Sequence, residues 1–333
     1  MFFFKHIRPF HVLVARVDAM GDVILALPVC GIIKKYYPDC KITFLGRTYT
    51  KNIAEASVHV DDFLNFDDWH NMTSEEISSV LNAKKIDTVI HLAPHKIVLK
   101  QCWHAGIKTR IGGSNKIRYW LYCNKLVPFS RRKSRLSEAQ LNIKLLSPLN
   151  IRVIPARNEV WKYYGFTKIA ELNQQKKKLL DPEKINLILH PLSNKNAKEW
   201  GLHNFSALIK LVDTNEFKIF ITGSVSEKEI LAEWAAQHRD RVTDLIGLLD
   251  TEQLIAFINA ADGLIASSTG PLHIAAAAGI CTLGLYENSW TKRGERWGPL
   301  GKKAGFLECI NDDMDTITPG MVYERMSKWS KEK

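Results

Sequence analysis

The sequence predicts a two-domain α/β protein, each domain a parallel sheet flanked by helices. Three observations point there. The chain has 333 residues, more than the roughly 250–300 at which a single hydrophobic core stops growing. Short apolar strands alternate with segments of helical spacing, the rhythm of βαβ units. That rhythm lapses over residues 166–184, FTKIAELNQQKKKLLDPEK, and restarts at Ile185. The expected layout is a first domain over residues 1–165, a linker over 166–184, a second domain over 185–320 and a terminal helix over 321–333.

In the first domain HVLVARV (residues 11–17) reads as a strand and Asp18-Ala19-Met20-Gly21 as a turn. A helix follows from Asp22 to Tyr37 on the spacing of Val23, Leu27, Cys30 and Ile33, ended by Pro38-Asp39. KITFL (residues 41–45) is the second strand, so the crossover is right-handed and the pair parallel. Residues 62–66 and 88–92 read as further strands. Between them a helix starts near Thr73, where Thr73 and Glu76 form a capping box. After Ile107–Ile111 the pattern turns irregular and basic, until a helix resumes over Ser137–Leu146.

In the second domain strands are expected at Ile185–His190, Phe217–Thr222, Val242–Ile246, Leu264–Ala266 and Ile280–Leu285. Helices are expected at His203–Val212, Glu227–Gln237, Thr251–Ala260 and Leu272–Ala278. Strand order is not legible at this level. Residues 321–333 read as a polar helix that returns over the first domain.

Composition narrows the class. Hydrophobic residues make up 46% and charged residues 24% of the chain, the balance of a folded globular protein. No apolar run reaches the ~18 residues of a membrane span, and the start, MFFFKHIRPFH, lacks the apolar core and small-residue cleavage site of a secretory signal. The six cysteines are scattered, with neither C-x-x-C nor a histidine at metal-ligand spacing. A reduced, cytoplasmic protein without structural zinc is the expectation.

The net charge of +11 is unevenly placed. Between Asp87 and Glu138 no acid occurs, while Lys96, Lys100, Lys108, Arg110, Lys116, Arg118, Lys125, Arg131, Arg132, Lys133 and Arg135 are basic. Trp103, Tyr119, Trp120, Tyr122 and Phe129 are interleaved with them. This mixture suits an anionic membrane surface. Nucleic acid would suit the charge equally, but no helix-turn-helix, zinc-finger or RNP pattern accompanies it.

The stretch GLIASSTGPLHIAAAAG (residues 263–279) describes a site: a buried strand, a hydroxyl-rich turn, and an alanine-rich helix with Pro271 in its first turn and Gly279 at its end. Free amides at such a helix start, with the helix dipole, suit a phosphate. The plainer alternative is a well-capped αβ unit without a ligand. His273 lies on the helix's inner side. In open α/β sheets ligands bind at the carboxyl ends of strands, and four other polar segments leave strands there. Gly21 and Asp22 follow the first strand, Asp22 being either a first-turn acid or a proton acceptor. HPLSNKNAKEW (residues 190–200) carries two lysines, and GSVSE (residues 223–227) ends on Glu227, either a cap or a partner for a ribose. Glu287–Arg293 and Arg296–Pro299 follow the strand after the alanine-rich helix.

RVDAMGD (residues 16–22), HPLSNKNAKEW (190–200), STGPLHIAAAAGI (268–280) and RWGPLG (296–301), in this order, resemble glycosyltransferase family 9, the lipopolysaccharide heptosyltransferases. The resemblance spans nearly the whole chain. It implies a GT-B fold, two Rossmann-like domains facing a central cleft, with no metal or other cofactor. It also implies inverting transfer of heptose from an ADP-activated donor to the lipopolysaccharide inner core, by a protein peripheral to the inner face of the inner membrane. By position, Asp22 is the general base, Lys198 holds the donor phosphates, Thr269 and Gly270 contact the pyrophosphate, His273 is the matching histidine and Glu227 the acid at the ribose. Ser268 stands where many members have an aspartate that contacts the transferred sugar, which leaves the donor sugar open. Gly21, Arg110 and Arg118 are candidate acceptor contacts. A nucleotide-sugar epimerase of the same architecture, or a non-catalytic basic binding protein, are the alternatives.

Overall fold

The computed structural model describes residues 8–128, 130–131, 133–193 and 197–331. The chain forms two compact units that divide between Lys168 and Ile169, inside the apolar-poor segment.

The first unit is built on strands β1 (His11–Ala15), β2 (Lys41–Gly46), β3 (Asp62–Asn65), β4 (Thr88–His91), β5 (Thr109–Gly113) and β6 (Lys125–Val127). The second is built on β7 (Ile185–His190), β8 (Phe217–Ile221), β9 (Val242–Asp244), β10 (Gly263–Ser267), β11 (Cys281–Tyr286) and β12 (Ala304–Glu308). The sheets run β3-β2-β1-β4-β5-β6 and β9-β8-β7-β10-β11-β12, and their pairings are parallel. Each unit therefore repeats one topology, the doubly wound order of a Rossmann fold. The chain reverses direction across the sheet between the first and fourth strands, β1/β4 and β7/β10, and ligands of such sheets bind at this switch point. All five residues of β1 and of β10 are buried, as strands covered by helices on both faces must be.

Several elements depart from the sequence expectation. The helix expected over Asp22–Tyr37 is two, Met20–Ile24 and Leu27–Tyr36. Pro28 lies in the first turn of the second and has no N–H to continue a helical ladder. The basic stretch contains helices Lys96–His104 and Ile117–Tyr122 and strand β6. Of the six residues of Ile117–Tyr122 only Tyr119 is buried, so no inward apolar stripe betrays that helix.

The terminal helix Pro319–Met326 packs on Leu202–Leu211 of the second unit, and Val322 and Met326 belong to that unit's core with Trp200 and Phe205. The helix's apolar face is thus buried in the core of the second unit. Trp329, just beyond it, lies over Gly263, where an added Cβ would come within 2.6 Å of a ring carbon.

Candidate functional site

At the carboxyl end of β1 the chain enters the short helix Met20–Ile24 with Gly21 and Asp22 in its first turn. The N-cap residue Ala19 offers no side-chain cap, and Asp22 does not cap the helix either. Its Oδ1 accepts a hydrogen bond from Arg16. Among the described residues no other hydrogen bond reaches this carboxylate, so Oδ2 keeps its lone pairs for an incoming donor.

Arg16 is the hub of this end of the sheet. It is buried, and its Nε lies 2.9 Å from Asp18 and one terminal nitrogen 3.9 Å from Glu138. It also donates to the carbonyl of Leu92, just past β4, at 3.2 Å. Arg131 donates to Glu138 at 2.8 Å and to the same Leu92 carbonyl at 2.9 Å. Burial opposes the charge on Arg16, but Asp22, Asp18 and Glu138 together raise its pKa. Burial likewise pushes the Asp22 carboxyl above the ordinary carboxylate range. Arg16 pulls it back, and Asp18 and Glu138 push it up again, leaving it raised. A half-buried carboxylate, oriented by one cation and kept basic by two neighbouring acids, is equipped to take a proton.

Sequence reasoning missed Arg16, Arg131 and Glu138 as a unit. The signal for Glu138 was present: it is the first acid after a fifty-residue stretch with none, and it opens an apolar helix capped by Ser137. Of the candidate acceptor contacts, Gly21 lies beside Asp22. Arg118 donates to the carbonyl of Pro94 at 3.5 Å, in the loop after β4. Arg110 is not brought to this edge. It sits on β5 level with Val89, short of the strand's carboxyl end, and donates to the backbone carbonyls of Tyr122 and Ile107. Its guanidinium is held by carbonyls of its own unit.

In the second unit β10 ends at Ser267, and the chain turns through Ser268 into the helix Gly270–Ala278. Thr269 is the N-cap, its hydroxyl accepting from the Leu272 amide at 3.4 Å. Gly279 ends the helix at φ +86°, a left-handed cap that glycine adopts without strain. His273 is buried in the helix's second turn. Gly301, last of the RWGPLG run, fits against the same helix, where an added Cβ would lie 2.6 Å from the Ala276 carbonyl oxygen.

The HPLSNKNAKEW segment leaves β7 next to β10. Residues 194–196 lie outside the described residues, as do Phe129 and Arg132 of the basic stretch; the rest of the segment has a clear logic. Trp200 is fully buried, its indole donating to the Ile317 carbonyl at 2.6 Å. Glu199 folds the loop back, accepting from the Ser193 amide at 2.7 Å and the Ser193 hydroxyl at 3.1 Å. Just before these two anchors Lys198 is left exposed, its Nζ at 2.6 Å from the Asp312 carboxylate and 2.9 Å from the Asp312 carbonyl. The hydrogen bond to Asp312 raises its pKa, so it is a cation at neutral pH.

Glu227 lies past β8 and is buried. Its Oε2 accepts from the amide and the hydroxyl of Ser224, at 2.7 and 2.8 Å, which is the capping-box geometry. The cap is therefore made; what the residue does toward a ribose is a separate matter. His190, at the end of β7, bonds the Thr222 hydroxyl at 2.9 Å. Burial pushes its pKa down to about 4 against the raising influence of Glu227, so the ring is neutral.

The two fourth strands end alike. His91 closes β4 and Ser267 closes β10, each wholly buried, and among the described residues the His91 ring nitrogens and the Ser267 hydroxyl make no hydrogen bond. Burial and then Arg110 push the His91 pKa down to about 3. Buried polar atoms without partners are rare in folded proteins, and both of these stand at a switch point.

Comparison with known proteins agrees with this geometry. Residues 81–319 match the model of glycosyltransferase family 9 (heptosyltransferase). A Haemophilus influenzae protein whose description goes no further than glycosyltransferase is 30% identical over 301 residues, covering 87% of this chain and 86% of its own. The lipopolysaccharide core heptosyltransferase OpsX of the same organism is 22% identical over 82% of this chain and 78% of its own. Among solved structures, Escherichia coli ADP-heptose lipopolysaccharide heptosyltransferase II superposes with a TM-score of 0.76 at 18% identity, over 95% of this chain and 97% of its own. The fold is thus of the GT-B type, and the chain belongs to glycosyltransferase family 9, the heptosyltransferase family.

Proposed function

We propose that this glycosyltransferase moves a heptose from ADP-heptose to the lipopolysaccharide inner core with inversion at the anomeric carbon. The first unit supplies the base and the second holds the donor. Asp22 takes the proton of the acceptor hydroxyl as its oxygen bonds to the anomeric carbon, and the carbon–oxygen bond to ADP breaks on the opposite face. The charge left on the diphosphate is received by Lys198, which exchanges Asp312 for phosphate, and by the amides of the Gly270–Ala278 helix start. General-base assistance of this kind contributes about 10²–10⁴-fold.

The observation that carries the reading is one of placement. Asp22 leaves the first strand of one sheet, and the Thr269-Gly270 turn leaves the fourth strand of the other, each at the switch point of the same topology. A shared family motif alone would not require that. The similarity to the E. coli ADP-heptose heptosyltransferase supports the choice of donor, and the similarity to a lipopolysaccharide core heptosyltransferase supports a core acceptor.

The test is turnover with a panel of nucleotide sugars, with and without an inner-core acceptor, read by mass spectrometry. The expected result is gain of one heptose on the acceptor from ADP-heptose. Acceptance of none of the panel, or conversion of the free donor without acceptor, would overturn the reading, the latter in favour of an epimerase.

A further inference from the structure

We propose that the outer face of helices Lys96–His104 and Ile117–Tyr122 is a docking surface for an anionic lipid bilayer. In the six-residue helix Ile117, Trp120 and Leu121 share one stripe by their spacing of three and four, and they are 74%, 60% and 64% exposed. Tyr119 alone points inward. It is wholly buried, its hydroxyl donating to the His91 carbonyl at 3.3 Å, and Gly112 beneath it leaves room for the ring. The helix is thus fixed by its one inward aromatic while its larger apolar stripe faces solvent.

Trp120 is held in place as well, its indole donating to the Ser114 carbonyl at 3.0 Å. The neighbouring helix adds exposed Ile97 and Trp103, and Trp103 meets Tyr122 edge to face at 6.2 Å between centroids. Lys96, Lys100, Lys108, Lys116 and Arg118, in these helices or the segments that join them to β5, are exposed too, in a stretch of sequence without an acid.

Exposed tryptophan and aliphatic residues interspersed with exposed cations match the headgroup zone of an anionic membrane. The rings enter the acyl boundary there, and the cations meet lipid phosphates. Charge alone would serve nucleic acid, but an Ile–Trp–Leu stripe has no use on a phosphate backbone. Through Arg118 on the Pro94 carbonyl the surface borders the loop that follows β4, the end of the sheet where Asp22 stands. Among the described residues no helix is long and apolar enough to cross a membrane, so attachment here is to the surface.

The test is flotation with vesicles of phosphatidylethanolamine and phosphatidylglycerol, against vesicles of phosphatidylcholine, for the full chain. Four outcomes are expected. Binding should require phosphatidylglycerol, and should weaken as salt is raised from about 0.1 to 0.5 M, because the screening length shortens about twofold. It should fall by about tenfold or more in Ile117→Ser/Trp120→Ser/Leu121→Ser. It should be unchanged in Ile230→Ser, an exposed apolar position of the second unit.

Circular dichroism matching the wild type excludes misfolding of the triple variant. Should that variant prove unstable, Trp120→Ser alone and Lys100→Gln/Lys108→Gln/Lys116→Gln serve, each expected to weaken binding. Equal binding to phosphatidylcholine, or an apolar variant that binds like wild type, would overturn the proposal. So would a concentration-dependent dimer abolished by the triple variant, which would make this face a self-interface, or tighter binding to a nucleic acid than to the vesicles. None of these readouts depends on the transfer reaction.

Discussion

Replacing Arg16 by methionine keeps an unbranched stem and removes the cation on which three carboxylates converge. The side chains of Arg16, Asp22 and Glu138 are 7%, 20% and 1% exposed. Glu138 retains Arg131 at 2.8 Å, and Asp18, 40% exposed, can turn to water. The loss therefore falls mainly on Asp22, a half-buried carboxylate stripped of its partner, for which a cost of up to about 3–5 kcal/mol is expected. The unit ends at Lys168, and in a domain of that size each kcal/mol moves Tm by about 2–4 °C, giving a drop of up to about 6–20 °C.

The pH dependence follows from the sign of the shift. Without Arg16 the folded-state pKa of Asp22 rises further above its unfolded value. Such a group contributes stability while it is protonated, and the contribution is lost as pH rises through the folded value. The gap between variant and wild type should thus be wide near about pH 7.5 and should narrow toward about pH 4, as Asp22 protonates. Calorimetric scans across that range read it directly. In Arg16→Met/Asp22→Asn, where no carboxylate is left stranded, most of the stability should return. A gap independent of pH, or a double variant no more stable than the single one, would refute the reasoning.

Two further outcomes are expected. In the proposed donor complex Lys198→Ala removes a charge-assisted hydrogen bond to the diphosphate, worth about 1.5–3 kcal/mol; calorimetric titration with ADP should show affinity lower by about 10–150-fold, with an unchanged melting profile because the side chain is exposed. Gly301→Ala presses a methyl toward the Ala276 carbonyl oxygen at 2.6 Å; overpacking of about 1–3 kcal/mol should lower the Tm of the second unit by about 2–12 °C.

Much of the fold was legible because it is written in local patterns. The strands at residues 11–15, 41–46 and 185–190, the Thr73–Glu76 capping box and the Gly279 cap each need only their near neighbours. The alanine-rich helix was legible for the same reason, although it begins at Gly270 rather than Leu272. The same strand order in the two units was not legible, since no residue in a strand names its neighbour. Charge counting could not show that carbonyls of Ile107 and Tyr122 hold the Arg110 guanidinium. It also put Tyr119 among the surface aromatics, while the ring is buried over Gly112 and the stripe one position away faces out. The Arg16–Asp22 contact lies within one motif and was within reach. Its control by Glu138 and Arg131 joins residues far apart along the chain and needed coordinates.

The most direct test of the central claim is acceptor-dependent release of ADP from ADP-heptose by wild type and by Asp22→Asn, with donor affinity measured in parallel. The expected result is release that depends on the inner-core acceptor, a kcat lower by about 10²–10⁴-fold in the variant, and donor binding unchanged. Near-normal turnover in Asp22→Asn would contradict it, returning Asp22 to a purely structural place beside Arg16.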